Sequence, residues 1–323
     1  MASAAVHTAP AVPRAAQSRT VLVAGASGFL GHHLVRHLRR RGDSVRRLVR
    51  REPRGPEEIR WDPADGTLEP TALTGVDVVV NLGGASLGRL PWTSAYKEEI
   101  LRSRVDGARV LAESVAHAVS RGRRPVRFLQ ASGTDFYGDR GEQLLTEAGR
   151  PGDGFLAEVC RRWEAATTPA ADAGADVVLL RTSPALAPSG GAIAPLTRLI
   201  RLGLGGPIAG GRQWFPWITL ADHVRAQLHL MDSTLTGPVN LSAPGTARQG
   251  ELVDALASAM RRPAVVHAPR WALALAGRDF ADFLAASRRV EPRALLDDGF
   301  TFSHPDLAAA APWVADRDRH GRR

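Results

Sequence analysis

The stretch Thr20-Val-Leu-Val-Ala-Gly25-Ala-Ser27-Gly28-Phe29-Leu30-Gly31 decides the fold of this 323-residue chain. A short apolar run that ends at glycine reads as a strand buried on both faces. Helical spacing begins at once: Leu30, Leu34 and Leu38 recur on one side, Arg36, Arg39 and Arg40 fall on the other, and Gly42 supplies a left-handed stop. A glycine-rich turn between a strand and a helix is the setting a dinucleotide requires. Glycines at its first positions let the backbone turn tightly and approach a pyrophosphate, whose charge meets amide groups and the positive end of the helix. Gly25, Ser27, Gly28, Phe29, Leu30 and Gly31 are therefore the candidate phosphate contacts, and Gly31 also lets helix and strand pack closely.

Outward from this turn, Ser44–Arg50, Val76–Leu82, Val126–Ser132 and Asp176–Thr182 read as further strands, and Tyr96–Ser120 has helical periodicity. Strands alternating with helices imply right-handed crossovers and an α/β fold, a Rossmann-type doubly wound parallel sheet over residues 20–183. Past Pro184, glycine and proline become frequent, the texture of a smaller carboxy-terminal substrate lobe over 184–312, with 236–244 as a stretch that returns to the sheet. Glu251–Met260 and Trp271–Ser287 read as helical. Residues 1–19, rich in Ala, Pro and Ser and without the apolar core of a secretory signal, are expected to form a disordered tail, and 313–323 a frayed end.

The formal charge of +9 raises the question of a nucleic-acid partner, yet Lys97 is the single lysine among 42 basic residues. A bias of that kind reads as codon usage, so no nucleic-acid partner is expected. No membrane partner is expected either: a spanning helix needs roughly eighteen uninterrupted apolar residues, and the Ala/Leu-rich Trp271–Ala286 carries Arg278, Asp279 and Asp282. The lone Cys160 excludes an internal disulfide, suits a reducing, cytoplasmic compartment and reads as a small buried hydrophobe. His32, His33 and His37 share the first helix without acidic or cysteine partners nearby, so no metal is expected, and His223 reads as structural. The expected partner is a small-molecule substrate, with a homodimer left open.

About twenty residues after such a turn, NAD enzymes place an acid that bonds the ribose 2′-hydroxyl. This chain has Arg50 and Arg51. Arginine there forks onto a 2′-phosphate, which makes NADP(H) the expected cofactor; two solvated surface charges are the alternative. Asn81, Gly83 and Gly84 supply a second close-approach loop beside the cofactor. Ser132, Thr134, Asp135 and Tyr137 follow directly on a strand and so emerge at the carboxyl edge of the sheet, where open α/β folds bind ligands. Ser132 could hydrogen-bond a substrate carbonyl, Tyr137 could donate a proton and Asp135 could act as a base, with Thr134 contacting substrate. A turn cap for Asp135 and a packed aromatic for Tyr137 are the competing readings. In the second lobe Arg212 and Trp214 could clamp an acidic or planar substrate, against simple packing for the tryptophan.

These residues, with Pro91-Trp-Thr-Ser-Ala-Tyr-Lys97, Ser103-Arg104-Val-Asp-Gly107, Tyr137-Gly-Asp-Arg-Gly141, Phe155-Leu-Ala-Glu-Val-Cys-Arg-Arg-Trp-Glu164, Gly211-Arg-Gln-Trp214 and Arg289-Val-Glu-Pro-Arg293, resemble an atypical branch of the extended short-chain dehydrogenase/reductases over Thr20–Pro312. The resemblance implies an NAD(P)-dependent epimerase or oxidoreductase, a carboxy-terminal domain of unknown function over 249–296, Arg104 at the cofactor and a substrate cleft between the lobes. The wider superfamily works with a Tyr-x-x-x-Lys pair, in which the lysine lowers the phenol's pKa. This chain cannot supply it. Its tyrosines, Tyr96 and Tyr137, are followed four positions on by Ile100 and Gly141, and the pair's own place aligns with Leu156 and Cys160. Lys97 becomes a further catalytic candidate, alone in the cleft or paired with Asp135 or Glu98, with a surface charge as the alternative. Two functions stay open: an NADP(H)-dependent oxidoreductase or epimerase without the usual pair, and a non-catalytic NADP(H)-binding sensor or scaffold.

Overall fold

Along the first strand, Val21 and Val23 face one side and Leu22 and Ala24 the other, and all four are fully buried. A strand that is apolar on both faces needs a covering layer on each. The computed structural model, which describes residues 18–122, 126–269, 271, 273 and 277–316, supplies both layers. In chain order the strands are β1 (Thr20–Ala24), β2 (Ser44–Val49), β3 (Glu58–Asp62), β4 (Thr67–Leu68), β5 (Val78–Asn81), β6 (Arg127–Gly133), β7 (Leu144–Leu145), β8 (Asp176–Thr182), β9 (Ala185–Leu186), β10 (Ile218–Thr219), β11 (Gly237–Leu241) and β12 (Arg289–Val290). The helices are α1 (Phe29–Arg41), α2 (Ser94–Ser120), α3 (Phe155–Ala165), α4 (Thr168–Asp172), α5 (Ala194–Arg201), α6 (Leu220–Asp232), α7 (Gln249–Met260), α8 (Arg278–Ala285), α9 (Arg293–Asp297) and α10 (Leu307–Ala315).

Eight strands form the main sheet in the order β11-β8-β6-β5-β1-β2-β3-β4, parallel throughout except for the antiparallel β3–β4 pair at one edge. The chain winds outward from β1 through β2 and β3 on one side and from β5 through β6 and β8 on the other. The carboxyl ends of β1 and β5, where Ala24 pairs with Asn81, therefore lie at the point where the winding reverses, the crevice in which open α/β sheets bind ligands. Helices α1 and α6 cover one face through Leu34, Leu38, Val224 and Leu230, and α2 and α4 cover the other through Leu111, Val115 and Ala170. A separate core of Trp217, Ile200, Leu252, Leu256 and Val314 joins α5, α7 and α10 in the second lobe.

That lobe is not one contiguous stretch, because α6 packs on the main sheet and β11, inside 236–244, is one of its strands. Two boundary expectations are corrected. Residues 313–315 are not frayed: they complete α10, and Val314 is fully buried. Residues 1–17 lie outside the described residues, but Arg19, placed in the tail by its sequence, donates to the Met231 carbonyl at 2.6 Å and pairs with Asp232. In the stretch 271–287, the helix α8 is shorter than the apolar run suggests, with Ser287 beyond its end and several of the preceding residues outside the described ones.

Candidate functional site

The turn from β1 into α1 has three glycines with three different jobs. Gly25 sits at φ +76°, and a Cβ there would lie 2.7 Å from the Leu82 carbonyl of the loop after β5, so only glycine lets the two loops meet. A Cβ on Gly31 would lie 2.2 Å from the Gly25 carbonyl oxygen, which is what close packing of helix on strand demands. Gly28, by contrast, has an ordinary φ of −72°, is exposed, and meets nothing except the Gly25 oxygen at 3.2 Å. Its own N–H donates to that oxygen at 3.0 Å and closes the turn. The first turn of α1 carries no acidic residue and no side-chain cap, and Ser27 is exposed beside it. The amides at the start of the helix and the positive end of its dipole are thus open to an anion. The side chains of Phe29 and Leu30 pack elsewhere, the Phe29 ring against Gly190 and Gly191 of the second lobe and Leu30 against the sheet core, leaving their backbone for the ligand.

At the end of β2 the two arginines part company. Arg50 is exposed, with no polar partner among the described residues. Arg51 forks onto Glu58 of the neighbouring β3 at 2.7 and 2.8 Å. The Glu58 carboxylate, almost wholly enclosed, also accepts from the Arg54 amide at 2.7 Å and pairs with Arg47 at 3.2 Å; the Arg51 hydrogen bonds and that amide pull its pKa down to about 2. The expectation that both arginines serve a 2′-phosphate is corrected for Arg51, whose fork already holds a carboxylate.

Across the crevice, Asn81 is buried and donates from Nδ2 to Gln130 at 3.0 Å, while its Oδ1 accepts from the Gly83 amide at 3.0 Å and pins the loop after β5. A Cβ on Gly84 would fall 3.0 Å from the Arg104 guanidinium. Arg104 reaches there from α2, donating to the Ile100 carbonyl at 3.1 Å and lying 5.1 Å from the centre of the Trp163 ring. Burial pulls this guanidinium below the usual arginine pKa, an effect opposed by the charge of Asp135.

The carboxyl edge of β6 is where expectation and structure differ most. The Ser132 hydroxyl donates to Glu164 at 2.7 Å, and Glu164 in turn takes a fork from Arg181 at 2.9 Å on each oxygen. Tyr137 is fully buried, donates to Asn240 Oδ1 at 2.7 Å and accepts from Arg181 at 3.1 Å. Burial raises its phenol above the ordinary tyrosine value. A phenol that is harder to ionise, sealed from solvent and bonded on both sides is a structural strut, so its expected role as proton donor is corrected. The same network runs on to Glu147, which accepts from the amides of Asn240 and Ala294 and ties the sheet edge to the carboxy-terminal lobe. Thr134 is buried at the start of the turn after β6.

Asp135 neither caps a turn nor pairs with Lys97. Its Oδ1 lies 2.8 Å from Arg288 Nη1, which arrives from the segment between α8 and β12. Lys97 instead pairs with Asp279 of α8 at 2.8 Å, 5.5 Å above the Phe155 ring and about one-third exposed, so it points to neither Asp135 nor Glu98. The guanidinium groups of Arg248 and Arg289 lie 4.5 and 4.6 Å from the centre of the Trp214 ring, and the indole N–H donates to Glu142 at 2.7 Å. Two guanidinium groups against the ring and a committed indole N–H correct its expected place as a substrate clamp. Arg212 is exposed, and its carbonyl accepts from Arg248.

At the place of the missing Tyr-x-x-x-Lys pair, Leu156 and Cys160 are both buried, and burial pushes the Cys160 thiol up to about 12. His223, fully buried between Thr182 and Gln227, is lowered to about 4 by burial. Among the described residues no group of three or more His, Cys, Asp or Glu side chains is placed to hold a metal ion, and no helix is long and apolar enough to cross a membrane. Arg288, Arg181, Asn240 and Asp279 were not among the expected site residues; of the new partners Trp163, Glu164 and Arg289 lay in stretches quoted for the resemblance.

Comparison with known proteins places the chain. Residues 21–241 match the NAD dependent epimerase/dehydratase family, and residues 268–314 match a domain of unknown function, DUF1731. The chain belongs to the NAD dependent epimerase/dehydratase family. The second match lies further toward the carboxyl end than the 249–296 expected. Epimerase family protein Mb2239 of Mycobacterium bovis is 38% identical over 299 residues, covering 92% of this chain and 98% of that protein. The crystal structure of human epimerase family protein SDR39U1 (isoform 2) with NADPH superposes with a TM-score of 0.82 at 30% identity, over 92% of this chain and 99% of that one. The structure of a nucleoside-diphosphate sugar epimerase from Corynebacterium glutamicum gives a TM-score of 0.75 at 34% identity, over 92% of this chain and 58% of that one.

Proposed function

We propose that this protein binds NADP(H) across the Gly25–Gly31 turn and acts as an oxidoreductase or epimerase on a small molecule at the carboxyl edge of its sheet. The observation that carries the reading is the open helix N-terminus at Gly28, with no acid in the first turn and with Arg50 unengaged at the end of β2. The turn fits a pyrophosphate, since a side chain at Gly28 would fill the space where the amides are exposed. The human relative solved with NADPH supports the choice of cofactor. The nicotinamide end would lie beside the loop of Gly83 and Gly84, against which the Arg104 side chain packs.

Bound there, the nicotinamide would supply hydride exchange. The chain's own residues orient the substrate and accept its proton. With Tyr137 sealed, Ser132 committed to Glu164 and Lys97 to Asp279, acid–base work falls to Asp135, whose side chain retains some exposure at the sheet edge. That same commitment of Ser132 and Tyr137 favours a second reading, a non-catalytic NADP(H)-binding sensor or scaffold. Oxidation of NADPH across a panel of small carbonyl compounds separates the oxidoreductase from the sensor, because a sensor turns over none of them.

The cofactor assignment is tested by calorimetry. NADPH is expected to bind more tightly than NADH, and Arg50→Ala to weaken NADPH by roughly 10- to 100-fold, the worth of a charge-assisted contact of about 1.5–3 kcal/mol. Arg51→Ala is expected to lower Tm while leaving NADPH affinity nearly unchanged, because its partner is Glu58. Equal affinities for the two cofactors, or an Arg50→Ala protein that binds NADPH normally, would overturn the assignment.

A further inference from the structure

Two buried arginine–carboxylate pairs stand at the same edge of the sheet, and they differ in one respect. Arg181 is satisfied: it places two bonds on Glu164, one on the Tyr137 hydroxyl and one on the Glu147 carbonyl. Arg288, 4% exposed, is not. Its Nη1 lies 2.8 Å from Asp135 Oδ1 without a hydrogen-bonding alignment, so Oδ1 has no hydrogen bond. Its Nη2 reaches the Phe283 carbonyl only at 3.4 Å, and its Nε has no partner. An enclosed guanidinium has five donors, and leaving most of them unused is costly unless something else engages them.

The surroundings say what that is. Arg104 faces Asp135 electrostatically from α2 and touches the Gly84 loop, so two cations converge on one carboxylate beside the cofactor crevice. The Trp163 indole N–H, under Arg104, is also buried and unpartnered. The local charge is one unit positive. We infer that Arg288, with Asp135, is a substrate-recognition pair that takes a small hydroxy- or oxo-carboxylate. The substrate carboxylate would complete the donor set of Arg288, and its hydroxyl or hydrated carbonyl would donate to Asp135 Oδ1.

The inference rests on the proposed NADP(H) reading, and the test keeps the two apart. Calorimetry on the protein saturated with NADP+ would measure glycolate, lactate and 2-oxobutanoate against their methyl esters. At least one acid is expected to bind about tenfold or more tightly than its ester. Arg288→Gln should erase that preference with NADP+ affinity unchanged, and Arg288→Lys, which keeps the charge but not the fork, should restore part of it. Acids that bind no better than their esters to the unaltered protein would overturn the inference, with no variant needed. So would a folded Arg288→Gln protein that keeps the preference. Failure of NADP+ to bind at all would instead overturn the cofactor reading.

Discussion

Replacing Gly28 by valine separates the cradle's role in binding from its role in folding. The backbone at Gly28 has φ −72°, which valine adopts without strain, and a Cβ there meets only the Gly25 oxygen, at 3.2 Å. The fold should therefore survive at a cost of no more than about 1 kcal/mol, a fall in Tm of roughly 1–2 °C for a chain of this size. The branched side chain would stand where the pyrophosphate must approach the first amides of α1. Loss of two charge-assisted hydrogen bonds at about 1.5–3 kcal/mol each corresponds to at least about 100-fold in NADPH affinity. Gly31→Ala is the control with the opposite signature. Its Cβ would press to 2.2 Å from the Gly25 carbonyl oxygen, backbone against backbone, so it should lower Tm by more than Gly28→Val does. Calorimetry and thermal denaturation on the two purified variants read both quantities. A folded Gly28→Val protein that binds NADPH with unaltered affinity would refute the placement of the pyrophosphate at this turn.

Three further outcomes follow from the polar interior. Tyr137→Phe leaves Asn240 Oδ1 and an Arg181 proton unpaired, so it should cost on the order of 1–3 kcal/mol in stability while NADPH affinity stays unchanged; a loss of turnover without a loss of Tm would restore Tyr137 as a catalytic acid. His223 has its pKa lowered to about 4 by burial. Because the folded value lies below that of the unfolded chain, near 6.5, its contribution is present above pH 6.5 and is lost as pH falls toward 4, on the order of 2 kcal/mol by pH 5. Thermal denaturation from pH 7 to 5 should show that decline, and His223→Gln should flatten it. Lys97→Arg keeps the charge facing Asp279, about one-third exposed, and should change Tm and NADPH affinity little; a sharp loss of NADPH affinity would return Lys97 to the cleft.

The doubly wound sheet was legible because its signal is local: the apolar runs of β1, β5, β6 and β8 and the glycines between β1 and α1 each carry their meaning in a few adjacent residues. The fate of Arg51 was not, because its partner sits in Glu58-Ile-Arg-Trp-Asp62, a strand near the sheet edge whose charged residues hide the apolar signal of a strand. Tyr137 looked available from sequence since it follows directly on β6, but its burial is created by Asn240 and Arg181, from strands more than forty residues away. Asp279 lies 182 residues from Lys97 and Arg288 lies 153 from Asp135, and no periodicity connects positions so distant. Local chemistry thus read out the cofactor cradle, while the polar network at the substrate edge became visible only once the chain was folded.

A crystal structure of the protein with NADPH tests the central claim most directly. The pyrophosphate is expected within hydrogen-bonding distance of the amides of Phe29 and Leu30, the 2′-phosphate against Arg50 with Arg51 still on Glu58, and the nicotinamide beside Gly83, Gly84 and Asp135. A 2′-phosphate free in solvent with Arg50 turned away, or a cofactor bound outside the β1–β5 crevice, would contradict it.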